Sequence, residues 1–141
     1  MCLNEQMPDI FGLCETFLND KIPDRMLCHK NYTIERKDRS GKSGGGIICY
    51  VQDDLAYKRR TDLETQSLEI IWLEIVYSTS KNILVGFLYR PPNSQANWLT
   101  TFNEHLEKVH DEGKEIIIMG DMNIDLMNCV KETAQVMLNN F

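Results

Sequence analysis

No run of apolar residues in this 141-residue chain approaches the length that a membrane-crossing helix needs. Residues 1–8 lack the basic flank and apolar stretch of a secretory leader, so a protein that is not secreted is expected. No low-complexity tract, internal repeat or long polar linker divides the chain, which favours one domain over residues 1–141. Cysteine patterning is also missing: Cys2, Cys14, Cys28, Cys49 and Cys129 are odd in number and contain no Cys-x-x-Cys pair. That argues against a disulfide framework or a zinc site and for reduced thiols in an intracellular protein, nuclear or cytoplasmic. A net charge of −6 argues against a generic nucleic-acid coat.

The charge is unevenly spread. Residues 29–60 hold eight basic side chains (Lys30, Arg36, Lys37, Arg39, Lys42, Lys58, Arg59 and Arg60) against four acids, a net of +4, which leaves −10 for the rest. A local basic surface on an acidic body suits a protein that meets a polyanion on one face, and a solvated loop without a partner has the same composition.

Apolar patterning points to strands at 9–14, 32–36, 47–51, 68–77 and 82–90. In 68–77, Ile71, Leu73 and Ile75 alternate with Ile70, Trp72 and Val76, so both faces should be buried. Residues 55–58 are expected to pair back onto 47–51 through a tight turn at Asp53 and Asp54. Pro91 and Pro92 stop the strand before them. Trp98, Leu99, Phe102, Leu106 and Val109 form one helical stripe in 97–112, and Gly113 ends it. Residues 131–138 have the pattern of a last helix. Strands outnumber helices, which favours an α/β (α+β) sandwich with sheets inside and helices outside. The Gly41-Lys42-Ser43 triplet is not a P-loop, because Arg36 stands where that motif needs a glycine.

The most informative stretch is 115–123, Glu-Ile-Ile-Ile-Met-Gly-Asp-Met-Asn. It predicts a strand buried on both faces, with Asp121 and Asn123 where it ends. Two more strands finish on polar groups, one on Glu15 and one on Tyr89 and Arg90. Carboxylates brought together from separate strands make an oxygen-rich site for a hard cation, and Mg²⁺ needs only one or two of them. Plainer roles fit the same residues. Tyr89 reads as a core-edge residue, Asn123 as a turn residue, Arg90 as a structural donor and Asp125 as a cap.

Four motifs occur in order: Asp9-Ile10-Phe11-Gly12-Leu13-Cys14-Glu15-Thr16, the glycine-rich hairpin strand of 43–51, Tyr89-Arg90-Pro91-Pro92, and Gly120-Asp121-Met122-Asn123. Together they resemble the endonuclease/exonuclease/phosphatase superfamily, and most closely the endonuclease domains that precede reverse transcriptase in non-LTR retrotransposons. The resemblance implies a partial four-layer fold. It implies a DNA-nicking phosphodiesterase that uses Mg²⁺, or Mn²⁺ in its place, and leaves a 3′-hydroxyl. Glu15 would be the metal ligand. Tyr89 would bind the scissile phosphate, Asp121 would position or deprotonate the attacking water, and Asn123 would hold that water or a phosphate oxygen. Arg36, Lys37, Arg39, Lys42 and Arg90 would contact DNA. A monomer with a reverse transcriptase domain downstream in a full-length protein is expected, and no membrane partner.

The chain departs from the family pattern at both ends. The family's first strand, ending in an active-site asparagine, has no counterpart before Asn4. Its late Ser-Asp-His strand is missing, and His29, His105 and His110 stand in other contexts. The expectation is therefore a single, incomplete domain. Two other readings follow: a non-catalytic DNA-binding remnant, and a phosphatase of the same fold acting on a phosphorylated lipid or small phosphate ester.

Overall fold

Side-chain alternation decides how the sheets of this protein face each other. The structure is a computed structural model and describes residues 8–39 and 44–124. Seven strands occur among these residues: β1 (Ile10–Cys14), β2 (Tyr32–Lys37), β3 (Ile47–Gln52), β4 (Tyr57–Arg59), β5 (Glu69–Ile75), β6 (Ile83–Tyr89) and β7 (Glu115–Asp121). One helix, α1 (Trp98–His110), joins β6 to β7, and a short 3₁₀ turn occupies Asp24–Met26. The first sheet is antiparallel in the order β1-β3-β2. The second runs β4-β5-β6-β7, antiparallel as far as β6 and parallel between β6 and β7. A parallel pair needs a crossover, and α1 supplies it.

Between the sheets, Ile47, Cys49 and Val51 of β3 pack against Ile71, Leu73 and Ile75 of β5 and Val85, Phe87 and Tyr89 of β6. On the other face of the second sheet, Ile70, Trp72, Leu84 and Leu88 pack against Trp98, Phe102 and Val109 of α1. β5 and β6 are thus covered on both sides, which is why they read as nearly continuous apolar runs. The result is an α/β sandwich of sheet, sheet and helix among the described residues. Gly113, at φ +63°, closes the helix by donating its N–H to the His110 carbonyl at 2.9 Å. None of the described helices is long and apolar enough to cross a membrane.

Three expectations are corrected. β7 is not buried on both faces: Ile116 and Ile118 pack toward α1, whereas Ile117 and Met119 stay 46% and 40% exposed. It is the outermost strand of its sheet among the described residues, and a run of apolar residues does not distinguish an edge from a centre. Residues 55–58 do not return to β3. Both edges of β3 are already taken by β1 and β2, so the chain crosses to the second sheet and β4 pairs with β5. Val76 is exposed because β5 ends at Ile75. Lys42, Asp125 and the helix expected at 131–138 lie outside the described residues.

Gly120 has φ +145°, and a Cβ there would stand 1.8 Å from the Leu88 carbonyl oxygen. Only glycine lets β7 run this close to β6 immediately before Asp121.

Candidate active site

β1 ends at Cys14, and the next residues turn sharply. Glu15 and Phe17 both have φ +54°, a backbone region that bulky side chains rarely adopt. The turn is held from the glycine loop, where the carbonyls of Gly46 and Gly45 accept the N–H groups of Thr16 (3.4 Å) and Phe17 (3.0 Å). A Cβ on Gly46 would come within 2.7 Å of Thr16 Oγ1, so the run of glycines serves this close approach. Non-glycine residues held in such conformations cluster where function demands a fixed geometry.

Tyr89, the last residue of β6, is buried, and its hydroxyl donates to the Glu15 carboxylate across the two sheets. Burial, with that carboxylate next to it, pushes the phenol up to about 12. The hydroxyl therefore stays a donor at neutral pH. Asp121 is level with Tyr89 in the parallel register of β6 and β7. Its carboxylate accepts the Asn123 N–H at 2.8 Å, and its carbonyl accepts the Arg90 N–H at 2.8 Å. Asn123, at φ +48°, donates from Nδ2 to the Arg90 carbonyl at 2.8 Å.

Cys14, the last residue of β1, lies next to the same strand ends. Its thiol donates to the Leu88 carbonyl at 3.6 Å. Burial pushes the thiol up and a backbone hydrogen bond from Asp121 pulls it down, while the negative charges of Asp121, Glu69 and Glu15 push it up again. The thiol thus feels the negative charge of carboxylates from three separate parts of the sequence.

An open pocket of about 900 Å³ runs from Glu15 and Tyr89 past Lys37 and Arg39 toward Asn93 and Trp98. Asp121 and Asn123 are not among its lining residues. No cluster of three or more His, Cys, Asp or Glu side chains that could hold a metal occurs among the described residues. The donors present are all oxygens, with an exposed carboxylate at Glu15. That set fits a hard cation that keeps most of its waters, such as Mg²⁺, and not a closed protein cage.

The basic residues are far less free than the sequence suggested. Arg36 pairs with Asp24 and Asp38 and donates to the carbonyls of Ile22 (2.7 Å) and Asn19 (2.8 Å), so it is a strut between β2 and the passage before it. The Lys37 amine donates to the carbonyls of Thr65 (2.9 Å) and Ile70 (3.2 Å), stands 3.6 Å from Glu64, and is pushed down by burial. Arg39 grips Glu69 and has its Cζ 5.6 Å from the centre of the Tyr89 ring. Arg90 lies over the Trp98 ring at 5.3 Å and donates to the carbonyls of Met122 and Asn123, both at 3.2 Å. Arg59 and Arg60 are paired with acids as well. Among the described residues, five of the eight basic side chains of 29–60 are thus engaged by acids or carbonyls.

Glu69 was not singled out in the sequence. Its one signal is a charged residue placed immediately before the apolar run Ile70 to Leu73.

The layers and strand order define the class of fold: a two-sheet α/β sandwich with a helix against one outer face. Among solved structures the chain is similar to the endonuclease domain of TRAS1, a telomere-specific non-LTR retrotransposon, with a TM-score of 0.60 and 15% sequence identity. The likeness covers 79% of this chain and 52% of that one, so the chain spans about half the length of the domain it resembles. At that identity the likeness is one of fold, and it agrees with the resemblance carried by the four sequence motifs. No protein-family model matches the sequence, and no curated protein does.

Proposed function

We propose that this chain is a phosphodiesterase of the endonuclease type that nicks DNA with the help of a divalent cation. The observation that carries this reading is the hydrogen bond from Tyr89 to Glu15, with Asp121 level with Tyr89 on the neighbouring strand. The fold shared with a retrotransposon endonuclease domain supports it.

Glu15 would hold the cation, Mg²⁺ or Mn²⁺, with water completing the shell. When bound, such an ion supplies Lewis-acid stabilisation of the charge that grows on the leaving oxygen. The other steps belong to the side chains. Tyr89, kept protonated, has a single O–H to give; with Glu15 turned to the cation, that O–H would swing from the carboxylate to a phosphate oxygen as charge develops there. Asp121 has one oxygen occupied by the Asn123 N–H, and its other oxygen accepts the proton of the attacking water. Asn123, fixed through Nδ2, accepts a hydrogen bond from that water on its amide oxygen. Lys37 and Arg39 line the pocket; engaged by backbone carbonyls and by Glu69, they would orient the phosphate backbone at close range rather than attract it from a distance. As the water oxygen bonds to phosphorus the P–O3′ bond breaks: the phosphate stays on the 5′ end of the downstream fragment, and the upstream fragment leaves with a 3′-oxygen that takes a proton from solvent and becomes the 3′-hydroxyl.

Plasmid nicking in Mg²⁺ tests the proposal. The chain should convert supercoiled circles to open circles, and Asp121→Ala should slow this by about a hundredfold or more. Equal nicking by both proteins removes Asp121 from the mechanism.

One observation favours a second reading, a module that binds DNA without cutting it: the lack of a multi-carboxylate metal cluster among the described residues. Equal DNA binding by the chain and by Asp121→Ala, with nicking by neither, is its signature.

A further inference from the structure

We propose that Glu69 is a positioning residue for the reaction, holding Arg39 and the glycine loop so that Glu15 and Tyr89 keep their geometry. This rests on the nuclease reading above. Glu69 opens β5 and touches neither Glu15 nor Tyr89 through any hydrogen bond of the described residues. Its two oxygens work in opposite directions. Oε1 accepts from Nε (2.6 Å) and Nη2 of Arg39, whose guanidinium lies 5.6 Å from the centre of the Tyr89 ring. Oε2 accepts the N–H of Gly46 at 3.0 Å. Gly46 and Gly45 in turn carry the N–H groups of Thr16 and Phe17, which flank the turn that presents Glu15.

A single carboxylate is therefore connected, one way, to the cation over the phenol and, the other way, to the loop that suspends the metal-ligand turn. A side chain at the centre of this arrangement would push the pair apart, and φ +77° at Gly45 favours glycine there. A Cβ on Gly45 would stand 2.5 Å from Arg39 Cζ and 2.7 Å from Glu69 Oε2. Glu69 and Arg39 are both only partly exposed, so the two-nitrogen grip is shielded from water on one side. Loss of the charge on Glu69 should free Arg39 and loosen the glycine loop together. A catalytic pair displaced by a fraction of an ångström loses turnover before it loses substrate.

The test uses the full chain with Glu69→Gln, Arg39→Gln and the double variant. Glu69→Gln should lower kcat for nicking by about tenfold while KM changes by less than about threefold. In the Arg39→Gln background the same substitution should add less than about twofold, because the two residues act as one unit. Amide resonances of Thr16, Phe17, Gly45 and Gly46 should move in Glu69→Gln, and those of α1 should stay in place. If Glu69→Gln does not fold, Arg39→Lys replaces it: the charge remains, the fork is lost, and the same kcat loss is expected. A kcat unchanged within about twofold, or fully additive losses in the double variant, overturns the positioning role. A parent chain that fails to nick overturns the nuclease reading and this role with it. A parent that nicks, beside a Glu69→Gln that nicks equally well, overturns this role alone.

Discussion

The Tyr89 hydroxyl donates to the Glu15 carboxylate, a contact between residues 74 positions apart that joins the end of β6 to the end of β1. It places a protonated phenol and an exposed carboxylate at one point of the pocket, although each belongs to a different sheet. Phenylalanine at position 89 isolates what the hydroxyl does. The ring still packs in the inter-sheet core, so Tyr89→Phe should cost only about 1 kcal/mol of stability, the worth of one hydrogen bond. Nicking should fall by about a hundredfold, as when a donor to a developing charge is removed. Melting curves and plasmid nicking, run side by side, check the two figures.

Replacing Gly120 reaches the same site through the backbone. Gly120→Ala sets a methyl group against the Leu88 carbonyl oxygen and asks alanine to hold φ +145°. The variant should lose about 3 kcal/mol. Nicking by the folded fraction should fall too, because the end of β7 carries Asp121. Denaturant melts measure the first effect and active-fraction kinetics the second.

Arg60 is nearly buried and gathers Asp62, Glu74 and Glu112, tying β4 and β5 to the end of α1. Arg60→Ala leaves Glu74 shielded and without this partner, at a cost of about 3 kcal/mol, whereas a surface pair would cost far less. The site lies elsewhere, so the folded variant should still nick DNA. Thermal melting and nicking rates together separate the two effects.

The same network predicts an acid response. Hydrogen bonds from Arg60, then from Lys114, hold the Glu112 carboxyl down at about 2. A carboxylate held below its ordinary value adds stability that is complete above that value and is lost as pH falls toward 2. Glu112→Gln should therefore melt lower than the parent at pH 6, with the gap closing by pH 2. Melting temperatures across that range decide it.

His105 carries the opposite kind of test, in a milder range. The Trp72 indole N–H donates to His105 Nε2 at 2.9 Å inside the helix layer, which requires the neutral ring. Burial, then the positive charges of Lys108 and Lys37, push this histidine below its ordinary value. Its contribution is complete above about pH 6.5 and is lost as pH falls through the lowered value. His105→Gln keeps an acceptor for the indole and removes the titration, so its melting temperature should vary less than the parent's between pH 7 and 5.

The parts of this fold that can be read from the sequence are those where one residue pattern has one structural solution. β5 and β6 announce themselves by apolar residues on both faces, and α1 by the stripe from Trp98 to Val109. The ends of β1, β6 and β7 were legible as places for Glu15, Tyr89 and Asp121, because polar groups followed apolar runs there. What escaped was decided by contacts far along the chain. β4 looked like the partner of β3 until both edges of β3 proved occupied. The pairing of Arg39 with Glu69, 30 positions away, and of Arg36 with Asp24, 12 positions away, is likewise invisible in the sequence, whereas Asp38 stands only two positions from Arg36. His105 stayed unseen because its reason for being buried is the indole of Trp72, 33 positions earlier.

Glu15 follows the last strand residue of β1 in the first sheet, Tyr89 and Asp121 end strands of the second, and the apolar layer between the sheets, with a few polar ties such as Glu35 to Arg59 and Arg39 to Glu69, holds the two halves in register. Each sheet keeps its own backbone ladder if the halves drift apart. Mild loosening by urea should therefore abolish the proposed nicking while far-ultraviolet circular dichroism still reports intact strands. On the proposed function, the nicking rate is thus a gauge of how tightly one half of the sandwich is clasped to the other.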